Sequence, residues 1–166
     1  MNKIKKILAA NRSEIAIRIF RAAEESGIRT AAIYSKEDRF ALHRFKTDES
    51  YLVGEGKGPI QAYLDINSII DIAKKAGVDA IHPGYGFLSE NPDLADQCEK
   101  NNIIFIGPTK EILNKLGNKT AAKEVADEAG VSTIPSVKVN EENKKTIHDE
   151  VNKIGYPVIV KASWGG

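Results

Sequence analysis

The chain has almost none of the residues that make covalent staples. It holds one cysteine, Cys98, in 166 residues, which excludes an internal disulfide and a cysteine-only metal cluster. A lone thiol fits a reducing compartment. Net charge is nearly absent too. The chain carries 24 basic and 23 acidic residues, a formal charge of +1. That balance gives no general electrostatic affinity for nucleic acid or for an acidic membrane surface. No apolar run is long enough to span a bilayer. The basic start, Met1-Asn2-Lys3-Ile4-Lys5-Lys6, leads only into Ile7-Leu8-Ala9-Ala10, too short for a signal-peptide core. A cytoplasmic protein is the expectation. Internal repeats and low-complexity tracts are also missing.

Two nucleotide-binding signatures are absent as well. No G-x-x-x-x-G-K-[ST] occurs, so there is no Walker P-loop. The first strand-turn-helix unit carries Asn11-Arg12-Ser13-Glu14 where a G-x-G-x-x-G fingerprint would stand. Without those glycines a pyrophosphate cannot approach the backbone closely, which disfavours NAD or FAD.

What is present is an ordinary globular composition, 42% hydrophobic and 28% charged. Strand and helix patterns alternate. Residues 4–10 read as a first strand, residues 30–34 as a second and residues 50–53 as a short third. Residues 79–82 form a fourth strand and residues 103–106 a fifth. Apolar residues at Ile15, Ala16, Ile19, Phe20, Ala22 and Ala23 recur with helical period, after Ser13 as N-cap and before Gly27 as a stop. A helix over residues 65–76 turns Ile66, Ile69, Ile70 and Ala73 inward and closes at Gly77. Residues 92–100 form another helix. The alternation predicts an α/β, doubly wound, mainly parallel sheet.

The pattern changes after Gly107-Pro108. Helices are expected over residues 110–116 and 119–129, then a short strand near 134–139, a polar helix over 143–154 and a last strand from Pro157. A domain boundary falls near residues 112–118. Residues 1–115 form the first domain and residues 116–166 begin a second.

Three segments can carry chemistry. His82-Pro83-Gly84-Tyr85-Gly86-Phe87-Leu88-Ser89-Glu90-Asn91 lies past the carboxyl end of the fourth strand, where open α/β sheets form ligand crevices. Tyr85 offers a flat face with a polar tip, and Glu90 a carboxylate near the next helix. The same segment also reads as a structural turn, with Phe87 and Leu88 plugging the core and His82 hydrogen-bonded. His82 has no neighbouring histidine or cysteine partner, so neither a zinc site nor a nucleophile–base pair is indicated. Lys119, after Gly117-Asn118, and Lys161, before Gly165-Gly166, could clamp a triphosphate, or could be surface charges. Arg12, Glu14 and Arg18 read as a solvated helix face with a capping carboxylate.

Taken together these segments resemble the biotin carboxylases. The resemblance rests on Ala10-Asn11-Arg12-Ser13-Glu14-Ile15-Ala16, on residues 82–91, and on Phe105-Ile106-Gly107-Pro108. It continues in Gly117-Asn118-Lys119 and in Tyr156-Pro157-Val158-Ile159-Val160-Lys161-Ala162-Ser163, all in the same order along essentially the whole chain. Gly54-Glu55-Gly56-Lys57-Gly58-Pro59, Tyr63-Leu64-Asp65-Ile66 and Trp164 look most like the pyruvate carboxylases among them. Acyl-CoA carboxylases usually have glycine where Ser13 stands.

The resemblance implies a Rossmann-like subdomain followed by the start of an ATP-grasp domain. It implies an ATP- and bicarbonate-dependent ligase that carboxylates biotin, in service of converting pyruvate to oxaloacetate. Lys119, Lys161, Gly165 and Gly166 would meet ATP. His82, Tyr85, Gly86 and Glu90 would lie at the biotin or bicarbonate pocket. Arg18 and Glu25 would lie near the subunit interface of a homo-oligomer. ATP, Mg²⁺ and biotin are the implied cofactors, with Mg²⁺ ligands and catalytic residues beyond this chain. A biotin carrier domain and the rest of the carboxylase are the implied partners. The fragment alone is expected to be inactive. The alternatives are a fragment of an acetyl- or propionyl-CoA carboxylase, or a non-catalytic nucleotide-binding module.

Overall fold

The computed structural model describes residues 4–117 and 119–161. The chain divides into two units, Met1–Leu113 and Asn114–Gly166.

The first unit is built on a five-stranded, all-parallel sheet. Its strands are β1 (Lys6–Ala9), β2 (Arg29–Tyr34), β3 (Glu49–Leu52), β4 (Ala80–His82) and β5 (Ile104–Phe105), in the spatial order β3-β2-β1-β4-β5. Helix α1 (Ser13–Glu25) follows β1. Helices α2 (Pro59–Tyr63) and α3 (Ile66–Ala76) lead into β4, and α4 (Pro92–Lys100) leads into β5. Leu8 pairs with Ala31 on one side and Ile81 on the other, which puts β1 at the centre of the sheet.

The alternation of side chains along the strands fills two cores. Ile7, Ala9, Ala32 and Ala80 face the α1 residues Ala16, Ile19, Phe20 and Ala23. Leu8, Ala31, Ile33 and Ile81 face Ile69, Ile70 and Ala73 of α3, and Leu94 and Cys98 of α4. Helices on both faces explain why the strands read as near-continuous apolar runs. Each fully buried Leu or Ile contributes about 1.5–3 kcal/mol over leaving it in water. Burial pushes the Cys98 thiol up to about 12.

Local signals set the helix ends. Asp65 accepts from the Ser68 N–H at 3.3 Å and caps α3, and Gly77 closes it in the left-handed region at φ 61°. Asn91 accepts from the N–H groups of Asp93 and Leu94, with Pro92 at the first helical position of α4. The start of α1 differs from the sequence expectation. Ser13 is not its N-cap. Arg12 holds that position without a side-chain cap bond, and Ser13 is the first helical residue with φ 54°.

Beyond α5 (Lys110–Leu116), the second unit contains α6 (Lys119–Glu128) and α7 (Ile147–Ile154). Ile147, Val151 and Ile154 are half-buried on one stripe of α7, but no described residue of 114–161 is fully buried. The strands expected at 134–139 and after Pro157 do not form. Ile134, Ile159 and Val160 are 86%, 81% and 89% exposed. A strand needs a neighbour's N–H and C=O groups, and no described segment pairs with either stretch. The helix expected over 143–154 begins only at Ile147, after a turn in which Asn140 and Asn143 exchange side-chain bonds with each other's N–H.

Candidate functional site

The strand order makes β1 and β4 neighbours although most of the first unit separates them in sequence. From β1 the chain leaves toward α1 on one face of the sheet, and from β4 it leaves toward α4 on the other. Loops beyond their carboxyl ends therefore part, and this switch point is where ligands enter such sheets. A cleft of about 390 Å³ opens there, between residues 11–15 at the start of α1 and residues 85–87 of the β4 loop. Its size falls within the usual range of small-molecule sites, about 300–1,000 Å³.

Both walls are tied down from below. Asn11 is 3% exposed and donates its amide to the carbonyls of Pro83 at 2.7 Å and Tyr85 at 2.9 Å. Its Oδ1 accepts from the Arg12 N–H at 2.9 Å. Gly84 passes so close, at φ 68°, that only glycine fits. Two non-glycine residues of the cleft, Ser13 and Phe87, are held in the left-handed region at φ 54° and 42°. Such backbone persists where surrounding contacts over-determine it, and it concentrates at functional sites.

The charges are arranged across the mouth. Tyr85, 62% exposed, donates its hydroxyl to Glu14 at 3.0 Å, and this bond raises the tyrosine's pKa. Arg18 lies 3.5 Å from the other Glu14 oxygen, one turn along α1. Arg12 pairs with Asp38 at 3.2 Å. Asp38 in turn accepts from the Tyr63 hydroxyl at 2.8 Å, and the Tyr63 ring stacks on Phe87 at 5.2 Å. Burial raises the Tyr63 pKa first, and the bond to Asp38 adds to it, so the phenol stays protonated.

The structure separates the sequence-predicted residues. Tyr85 and Gly86 line the cleft. His82 stands at the end of β4, and its Nδ1 accepts from the Gly84 N–H at 3.0 Å. Burial lowers its pKa, so it is neutral near pH 7 and serves the turn. Glu90 is exposed just before the Asn91 cap. Arg18 and Glu25 are exposed on α1, seven residues apart and hence on one face of the helix. In the second unit Lys119 opens α6. Lys161 is exposed and lies outside any strand. Gly165 and Gly166 lie outside the described residues.

Sequence reasoning treated Arg12, Glu14 and Arg18 as a solvated helix face. That holds for Arg18, whose side chain is 70% exposed, but not for Arg12, which an ion pair holds at the cleft. It also missed Asp38 and Tyr63. Both sit in segments without periodicity, a 3₁₀ turn (Glu37–Phe40) and the five-residue α2, and nothing local marks their convergence.

Residues 3–113 match the family model described as biotin carboxylase, N-terminal domain. The chain belongs to that family. Residues 118–166 match the ATP binding domain of the carbamoyl-phosphate synthase L chain. The pyruvate carboxylase of Bacillus subtilis is 57% identical over 98% of this chain. The chain spans about 14% of the length of that relative. A structure of Rhizobium etli pyruvate carboxylase with the allosteric activator acetyl coenzyme-A superposes with a TM-score of 0.90. It is 53% identical and covers 99% of this chain, which covers 15% of it. The biotin carboxylase domain of Hydrogenobacter thermophilus 2-oxoglutarate carboxylase, in complex with MgADP, ADP and bicarbonate, superposes with a TM-score of 0.91. It is 43% identical over the whole chain, which covers 36% of it. The fold expectation of a Rossmann-like parallel sheet is borne out, as is the resemblance to the biotin carboxylases. No helix among the described residues is long and apolar enough to cross a membrane.

Proposed function

We propose that this chain supplies the N-terminal part of the biotin carboxylase component of a cytoplasmic pyruvate carboxylase. In that parent, ATP and bicarbonate are consumed to carboxylate biotin, and the carboxyl group passes on to pyruvate to give oxaloacetate. Residues 1–115 act as the Rossmann-like subdomain, and residues 116–166 begin the ATP-grasp domain. The observation that carries the reading is the switch-point cleft, built from two of the segments that resemble this family.

The cleft suits the ureido ring of biotin. That ring presents one carbonyl acceptor and two N–H donors. The walls offer the Arg12 guanidinium as a donor, the Glu14 carboxylate as an acceptor, and Ile15 and Phe87 as apolar surface. Biotin, delivered on its carrier domain, supplies the nitrogen that takes up the carboxyl group. Tyr85 and Gly86 shape the entrance, His82 sets the turn that presents them, and Glu90 lies at its outer edge. Lys119, Lys161, Gly165 and Gly166 meet the nucleotide. Arg18 and Glu25 face a second subunit.

The test uses the parent carboxylase and ATP-dependent fixation of labelled bicarbonate. A charge-assisted contact is worth about 1.5–3 kcal/mol, so Lys119→Ala and Lys161→Ala should each raise the ATP requirement roughly tenfold to a hundredfold. Lys74→Ala, on the exposed side of α3, should change nothing. If all three variants give the same ATP titration, the two lysines are surface charges and the nucleotide assignment fails.

A further inference from the structure

The two walls of the cleft come from segments more than seventy residues apart, yet one side chain reaches both. Tyr63 is fully buried at the end of α2, beneath the cleft. Its ring stacks on Phe87 with centroids 5.2 Å apart and planes 19° apart. Its hydroxyl donates to Asp38 at 2.8 Å and accepts from the Ser35 N–H at 3.2 Å. The same Asp38 oxygen is 3.2 Å from the Arg12 guanidinium, whose central carbon lies 5.9 Å over the Tyr63 ring.

We propose that Tyr63 is a positioning residue for the cleft, its ring fixing Phe87 on one wall and its hydroxyl, through Asp38, fixing Arg12 on the other. The two actions are separable by chemistry. The ring acts by stacking, which favours an offset parallel contact at this separation. The hydroxyl acts by orienting a carboxylate that already carries a charge pair, and a bond to a charged acceptor is stronger than a neutral one. Arg12 is a long, half-exposed side chain with many rotamers. Unfixed, it would lose that freedom on meeting a ligand, whereas Asp38 restricts it beforehand. Phe87 sits at φ 42°, a conformation its own sequence does not favour, and the Tyr63 ring is the aromatic surface it rests on.

The inference deepens the reading of the cleft as the biotin pocket and rests on that reading, so its test has one arm independent of biotin. That arm is NMR of this chain labelled with ¹⁵N and ¹³C, following the Arg12 side-chain N–H and the Phe87 ring. Tyr63→Phe keeps the stack and removes the hydroxyl. Asp38→Asn keeps an acceptor for the hydroxyl and removes the charge. Both should shift the Arg12 signal to that of a freely rotating guanidinium and leave the Phe87 ring signals in place. Tyr63→Leu, which removes the stacking ring as well as the hydroxyl, should shift the Phe87 ring signals in addition to the Arg12 signal. The second arm is carboxylation of free biotin by the parent enzyme. Loss of one such bond should raise KM for biotin by roughly threefold to tenfold in Tyr63→Phe and Asp38→Asn, with kcat changed by less than about twofold. An Arg12 signal unmoved in both variants overturns the positioning role. So does a loss of kcat that merely tracks a fall in Tm. If Arg12 is released but KM for biotin stays at the wild-type value in every variant, the positioning of the walls stands and the biotin assignment of the cleft falls.

Discussion

The Asn11 amide nitrogen lies 2.7 Å from the point where a side chain on Gly84 would begin. The two residues sit in the loops after β1 and β4, and their closeness locks those loops together. Asn11 also donates to the carbonyls on either side of Gly84, those of Pro83 and Tyr85. Gly84→Ala would combine that clash with a left-handed φ of 68°. A strained position of this kind costs about 1–3 kcal/mol. Asn11→Ala leaves buried carbonyls without a donor, again about 1–3 kcal/mol. Urea unfolding followed by circular dichroism should show both variants well below wild type. A midpoint unchanged in either would mean the loops are not locked there.

Ser13 carries the opposite expectation. At φ 54° a Cβ is unfavourable, and glycine relieves it. Ser13→Gly should leave stability unchanged or raise it by up to about 1 kcal/mol, the relief being partly offset by the looser unfolded chain. Ser13→Val, with a branched side chain, should destabilise. The same urea titration ranks them, and a Ser13→Val midpoint at or above that of Ser13→Gly would contradict the backbone assignment.

Lys6 and Glu49 form a network whose two ends are unequal. The Lys6 ammonium is held by both Glu49 oxygens and by the Ala76 carbonyl, each at 2.7 Å, with its side chain 11% exposed. Glu49 keeps Arg29 at 2.8 Å and the Tyr51 hydroxyl at 2.6 Å if Lys6 is removed. Glu49→Leu strands a buried cation and should cost about 3–5 kcal/mol. Lys6→Met should cost less, about 1–3 kcal/mol, because the carboxylate retains partners. The double variant should recover part of the Glu49→Leu loss. Strictly additive losses in a double-mutant cycle would show that the pair is not coupled.

Two histidines set a pH window. Burial lowers the pKa of His43 and of His82, against an ordinary value of 6.5. The unfolded chain therefore binds these protons first as pH falls. Stability from keeping the rings neutral is complete above about pH 6.5 and is lost below it, as pH falls toward the folded values. The urea midpoint should drop between about pH 7.5 and 5.5, above the range where ordinary carboxylates titrate. His43 is the stronger probe, being fully buried with its Nε2 3.1 Å from the Ile33 carbonyl. His43→Gln should lower the midpoint at both pH values but flatten the difference. An equal drop in wild type and variant would assign the pH dependence elsewhere.

Much of the first unit was legible along the chain because its signals are local. The apolar period of α3 and Gly77 specified that helix almost to the residue, and residues 92–100 matched α4; the Asp65 and Asn91 caps came only with the structure. Strand ends were off by one or two residues in either direction, since a strand stops where its neighbour's pairing stops. At residues 134–139 and 157–160 apolar composition alone argued for strands. No described partner supplies the backbone bonds, so they remain irregular and exposed.

By itself the sequence determined the alternating α/β pattern, the absence of dinucleotide glycines and of a disulfide, and the loop after β4 as the segment able to carry chemistry. The tertiary structure alone decided what that loop faces. Parallel pairing of β1 with β4 brings Asn11 and Arg12 to Tyr85 and Phe87, and it seats Asp38 and Tyr63 beneath them. Those contacts join residues tens of positions apart. Hydrogen bonds and ion pairs of that range depend on strand order and on which face each helix covers, and no local spacing encodes either.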